Sequence, residues 1–106
     1  RRGNKYDIII MDPPSFGRGS KNEVWFIEND LNELIEDTSL LLSEEPLLFI
    51  INSYTTGFSK TVLENLLYIH VNEKCQGIVS SDELGVPMKD SKLILPCGIY
   101  ARWEKK

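Results

Sequence analysis

The stretch Ile8-Ile9-Ile10-Met11-Asp12-Pro13-Pro14-Ser15-Phe16-Gly17 constrains the fold more than any other part of the chain. From Tyr6 to Met11 the residues are apolar or aromatic, broken only by Asp7 and rich in β-branched isoleucine. Such a run reads as a strand buried on both faces. The two prolines that follow cannot donate to a strand ladder, and the first pushes Asp12 towards an extended conformation. The strand must therefore stop at Asp12 and leave its carboxylate at the carboxyl end of a sheet. In open α/β sheets, ligands bind outside the carboxyl ends of the strands.

The rest of the chain supplies the partners such a strand needs. Pro13 to Asn22 reads as a loop, longer than the usual strand-to-helix connection and so a candidate functional loop. From about Glu23 to Leu42, the residues Val24, Ile27, Leu31, Leu34, Ile35, Thr38, Leu41 and Leu42 fall at helical spacing, with Glu28, Asp30, Glu33, Glu36 and Asp37 opposite. Pro46 stops that helix. Leu47-Leu48-Phe49-Ile50-Ile51-Asn52 is a second apolar run of strand length, again read as buried on both faces, and Ser53 to Phe58 turns the chain. Ser59 is the expected N-cap of a helix from Lys60 to about His70, with Val62, Leu63, Leu66 and Leu67 towards the sheet. Gly77 to Leu84 is a further strand. Lys92 to Leu95 and Gly98 to Trp103 are strand-like and interrupted by Pro96-Cys97-Gly98, which marks a bend or bulge. Two strands across a turn predict an antiparallel hairpin. The order is strand, helix, strand, helix, hairpin: an α/β fold.

Composition narrows the function classes. A chain of 106 residues is at most one small domain. The net charge of −4 argues against nonspecific binding to a polyanion, although a local basic patch would still serve. Cys75 and Cys97 lie far apart and, with His70 as the one histidine, offer too few soft ligands for zinc. They read as reduced thiols. No apolar run approaches the roughly 20 residues of a membrane span. Arg1-Arg2-Gly3-Asn4-Lys5 is not followed by a signal peptide's apolar region. A cytoplasmic protein without metal or membrane contact is expected.

Asp12-Pro13-Pro14-Ser15 resembles the [Asn/Asp]-Pro-Pro-[Tyr/Phe/Trp/Ser] motif of class I S-adenosylmethionine-dependent methyltransferases that modify amino groups of bases and of glutamine. The longer string from Asp12 to Gly19, Asp-Pro-Pro-Ser-Phe-Gly-Arg-Gly, resembles a narrower bacterial group related to 23S ribosomal RNA methyltransferases. Asn52-Ser53-Tyr54-Thr55-Thr56-Gly57-Phe58 and Leu95-Pro96-Cys97-Gly98 fit the same group. The resemblance implies a Rossmann-like class I methyltransferase fold, a three-layer αβα arrangement, with residues 1–106 forming its C-terminal half. The glycine-rich turn that grips S-adenosylmethionine would then lie upstream of Arg1. Gly17-Arg18-Gly19 does not replace it, because no third glycine follows. A half-domain would leave one sheet edge open, so the isolated chain is expected to be inactive and to dimerise through that edge.

The resemblance also implies roles. Asp12 and the carbonyl of Pro13 would accept hydrogen bonds from the target amino group and border the S-adenosylmethionine site, with Pro14 stiffening the turn. Rate would come from alignment and a fixed electrostatic setting. A flipped base is held by stacking; Ser15 stands where an aromatic is usual, and Phe16 is the candidate substitute, or else a plug under the loop. Arg18 and Lys21 are candidates to hold phosphates of an RNA substrate, or are solvated loop charges. Asn52 and Tyr54, after the second strand, would line the target pocket, or Tyr54 packs on the surface. In cytosine-carbon methyltransferases a cysteine follows this strand. Asn52-Ser53-Tyr54 has none, which favours a base amino group in ribosomal RNA as acceptor. The alternatives are a protein or small-molecule acceptor, carbon methylation, or a non-enzymatic module recruiting a strand at its edge. His70 reads as a helix C-terminal residue, and Trp25 and Trp103 as packing.

Overall fold

A computed structural model describes residues 3–14, 16–18, 24–54 and 58–106; for residues 16, 18, 25 and 28 it describes the backbone. The elements are β1 (Ile8–Met11), β2 (Phe16–Arg18), β3 (Val24–Phe26), α1 (Ile27–Ser39), β4 (Leu48–Ser53), α2 (Lys60–Leu67) running into a π-helical turn (Tyr68–Asn72), β5 (Gly77–Pro87) and β6 (Ile94–Lys105). One sheet has the order β1-β4-β6-β5. β1 and β4 are parallel, as a β-α-β crossover requires. β6 returns antiparallel between β4 and β5. The α/β architecture expected from the order of elements is the one observed.

The core lies on one face of this sheet. Phe49 and Ile51 of β4 and Ala101 and Trp103 of β6 pack against Ile27, Leu31 and Ile35 of α1, Leu63 and Leu67 of α2, and Val71 of the π turn. Register explains the set: Phe49 opposes Trp103 and Ile51 opposes Ala101, so all four point the same way. Both helices sit on this face. The chain thus provides the sheet and one helical layer of a three-layer arrangement.

That placement corrects the expectation that the two apolar runs are buried on both faces. Ile8 is 51% exposed and Ile10 65% exposed, whereas Ile9 and Met11 pack against the core. β4 alternates between half-buried and buried positions. Apolarity alone does not say which face receives the helices. β1 is also shorter than the Tyr6–Met11 run; Tyr6 makes an isolated parallel bridge to Leu42 instead.

The helix expected from Glu23 to Leu42 begins at Ile27 and ends at Ser39. Val24 belongs to β3, which pairs antiparallel with β2, so a small two-stranded ribbon joins the expected loop, which holds β2, to the expected first turn of the helix, which holds β3. β-branched and aromatic Val24-Trp25-Phe26 favour a strand over a helical first turn. Asp30 reaches back to accept the N–H of Phe26, the N-cap, at 2.9 Å. In α2 the Ser59 hydroxyl caps as expected, accepting the Thr61 N–H at 3.1 Å. Val62 is 41% exposed rather than turned to the sheet; Leu63 and Leu67 carry the burial. His70, in the π turn, bonds through Nε2 to Asn32 Oδ1 at 2.7 Å and so ties α2's end to α1.

The hairpin is longer than expected. β6 runs continuously through Pro96-Cys97-Gly98, and the interruption is a bulge: Leu84 pairs with Gly98 and Gly85 with Pro96, leaving Cys97 unpaired. Cys75 and Cys97 are free thiols.

Candidate active site at the carboxyl end of the sheet

β1 ends where the prolines begin, and the Asp12-Pro13-Pro14 segment continues past the sheet without regular structure. Asp12 is exposed, Pro13 half-buried and Pro14 exposed. Met11, Asp12, Pro13 and Pro14 wall a shallow recess of about 330 Å³ whose remaining side is Leu34 of α1. Missing N–H groups stop the ladder, the fixed proline φ stiffens the turn, and an apolar helix residue floors the space beside the carboxylate.

The end of β4 lies alongside. Met11 pairs with Ile51 in the parallel register, so the next residues, Asp12 and Asn52, reach the same end of adjacent strands. Asn52 is half-buried and opposes Tyr100 of β6, which in turn opposes Asp82 of β5. Ser53 is buried, and Tyr54, just beyond the strand, is 57% exposed. Arg102 lies over the Tyr100 ring, with its guanidinium carbon 5.9 Å from the ring centre. The Asp82 carboxyl is held below the usual carboxylate range, first by the Glu83 N–H and then by the Lys60 ammonium 3.6 Å away. Among the described residues, no group of three or more His, Cys, Asp or Glu side chains is arranged to hold a metal ion. Among the described residues, no helix is long and apolar enough to cross a membrane.

Of the residues singled out from sequence, Asp12, Pro13, Pro14, Asn52 and Tyr54 converge on this end of the sheet. Ser15 and Lys21 lie outside the described residues, as do Thr55, Thr56 and Gly57. The backbone of Phe16 and Arg18 belongs to β2; their side chains are likewise outside the described set. Gly98 packs against the end of β4, a contact not expected from the sequence. Its φ is +121°, and a Cβ built there would lie 2.4 Å from the Ser53 carbonyl oxygen and 2.8 Å from Tyr54 Cδ1. A glycine directly after a proline-marked bend in a strand was the available signal, since such glycines mark close backbone approach. Tyr100 had no sequence signal; strand order alone places it beside Asn52.

No protein-family model matches the chain. It is 35% identical over 52 residues to the ribosomal RNA large subunit methyltransferase K of Neisseria meningitidis serogroup B, a match covering 48% of this chain and 15% of that protein. The structure superposes on the S-adenosylmethionine-dependent methyltransferase from Agrobacterium tumefaciens with a TM-score of 0.82 and 32% identity, over 99% of this chain and 35% of that one. SMU.776, a protein assigned as a methyltransferase and solved with SAH, shares the fold at a TM-score of 0.58 and 23% identity, over 95% of this chain and 26% of that one. The chain thus spans about a third or less of the length of these proteins. Sheet order, the placement of the Asp-Pro-Pro turn and these similarities give the chain the α/β fold of one part of a class I S-adenosylmethionine-dependent methyltransferase.

Proposed function

We propose that residues 1–106 form the C-terminal half of a catalytic domain that methylates a base amino group in ribosomal RNA, in the cytoplasm of a bacterium. The observation that carries this reading is Asp12: an exposed carboxylate at the carboxyl end of β1, held by two prolines at the mouth of an apolar recess. The recess suits the methyl-bearing end of S-adenosylmethionine, because Met11, Pro13 and Leu34 offer apolar surface and Asp12 offers a counter-charge to a sulfonium. Among the described residues there is no glycine-rich strand-to-helix turn, so the rest of the cofactor would be gripped by a preceding half-domain.

When bound, S-adenosylmethionine supplies an electrophilic methyl group on sulfur. Asp12 and the Pro13 carbonyl accept the two hydrogens of the target amino group, which turns the nitrogen lone pair towards that methyl. As the methyl group passes from sulfur to that nitrogen, Asp12 would accept the proton released from the alkylated nitrogen. Pre-set alignment and fixed acceptors supply the acceleration. Asn52 lines the acceptor pocket from the neighbouring strand, and Arg18 and Lys21 would hold phosphates. Carbon methylation of cytosine is disfavoured by the absence of a thiol in Asn52-Ser53-Tyr54; Cys97 sits in the hairpin bulge with Sγ directed at the Leu95 carbonyl, 3.4 Å away. The net charge of −4 is compatible with a second reading, a protein or small-molecule acceptor.

The test is transfer of a radiolabelled methyl group from S-adenosylmethionine by the full-length protein, offered undermethylated ribosomal RNA and ribosomal proteins in parallel. Label recovered in an N-methylated nucleoside is expected. Label in protein, or in a carbon-methylated cytidine, would overturn the acceptor assignment.

A further inference from the structure

We infer that Tyr54 is the surface on which the acceptor base stacks and that Gly98 is the positioning residue that seats it. This rests on the base-methylation reading above and names the part of the site that binds the base. An enzyme working on a base must hold its ring between apolar or aromatic surfaces while the reacting edge is presented. Ser15, beside the prolines, has no ring to offer, and Phe16 stands by its backbone in β2, paired with Phe26. Tyr54 is the aromatic at the end of the strand adjacent to Asp12, and it is 57% exposed.

Exposure alone would be unremarkable for a tyrosine; the backing of this one is what distinguishes it. The ring edge lies against Gly98, where an added Cβ would come within 2.8 Å of Cδ1 and 2.4 Å of the Ser53 carbonyl oxygen. Gly98 has φ +121°, a backbone conformation that L side chains rarely adopt. The bulge at Cys97 presents this glycine to β4. A side chain larger than hydrogen at position 98 would displace both the strand end and the ring. Tyr54 is thus supported from behind and open in front.

The spacing suits one nucleobase. Asp12 lies one residue beyond the Met11–Ile51 pair and Tyr54 three residues beyond it. If both chains continue at strand geometry, with strands about 4.8 Å apart and a rise of about 3.3 Å per residue, the two Cα atoms would be about 8 Å apart. A base lying on the Tyr54 ring can extend its exocyclic amino group to the Asp12 carboxylate across that span.

The experiment is steady-state methylation of undermethylated large-subunit ribosomal RNA by the full-length protein, with melting temperature recorded for each variant. Tyr54→Leu is expected to raise the KM for RNA about 10-fold or more, the scale of one lost base–aromatic stack. The KM for S-adenosylmethionine should not move, and Tyr54→Phe should recover the RNA KM. Gly98→Ala should raise the RNA KM as well, even where it also lowers the melting temperature. An unchanged RNA KM in Tyr54→Leu, with active wild-type protein, would overturn the inference and leave the methyltransferase reading standing, and a lowered melting temperature with a normal KM would assign Tyr54 to structure alone. Failure of the wild-type protein to methylate any nucleic acid would overturn both.

Discussion

Trp103 donates its indole N–H to Asn72 Oδ1 at 3.1 Å, and the same oxygen accepts the backbone N–H of Gly77 at 2.8 Å. One amide thereby joins the π turn, the start of β5 and the largest buried side chain of the core. Gly77 is needed because a Cβ there would fall 2.3 Å from the Glu104 carbonyl oxygen and 2.7 Å from the Trp103 ring. Asn72→Ala should therefore destabilise the fold by about 1–3 kcal/mol, since it strands a buried indole N–H. Asn72→Asp, which keeps an acceptor oxygen, should lose less. Urea unfolding followed by tryptophan fluorescence measures both.

Asp12 is exposed and packs little, so its substitution separates chemistry from folding. In the full-length enzyme Asp12→Ala should lower kcat for methyl transfer by about 100-fold or more, the scale of one lost oriented hydrogen-bonding group. The melting temperature should stay within a degree or two of wild type (about 0.5 kcal/mol for an exposed site). Asp12→Asn keeps one acceptor oxygen and should retain more activity than the alanine variant.

The Asp82 carboxyl is held below its ordinary value by the Glu83 N–H and by Lys60. Folding therefore favours its charged form. The resulting stabilisation is present above the unfolded value of about 3.9 and is lost as pH falls through the lower folded value. The group is fully exposed, so solvent screens the pair and the effect is small. NMR titration of the Asp82 side chain should give a midpoint below the ordinary range, and Lys60→Met should move it upward.

β1 is an edge strand, and Ile8 and Ile10 are exposed on the sheet face away from the helices. Unpaired strand edges with apolar side chains recruit further strands. The isolated 106-residue chain should therefore sediment with a concentration-dependent mass, and Ile10→Lys should shift it towards monomer. A mass independent of concentration for the unmodified chain would contradict this.

What could be read from the residues depended on how local its cause is. The end of β1 was legible because a missing N–H acts at the residue itself. Ser59 was legible as a cap for the same reason. The exposed face of Ile8 and Ile10 was not, because an aliphatic run carries no mark of which side a helix will cover. The β2–β3 ribbon escaped notice because its three-residue strands are defined by pairing with each other. Asp12, Asn52 and Tyr54 were singled out through their neighbours in sequence, and all three lie at the carboxyl end of β1 and β4. Gly98 and Tyr100 reach that end only because β6 inserts beside β4, a choice of strand order that no short stretch encodes.

The unpaired Cys97 divides the β5–β6 hairpin into two lengths whose registers differ by one residue: Gly77–Leu84 against Gly98–Lys105, and Gly85–Pro87 against Ile94–Pro96. A one-residue slip along a regular ladder would turn every side chain to the opposite face. Here the one extra residue of β6 is absorbed at Cys97, so Tyr100, Ala101 and Trp103 keep the phase that sets Ala101 and Trp103 on the core face while the outer arm follows its own pairing.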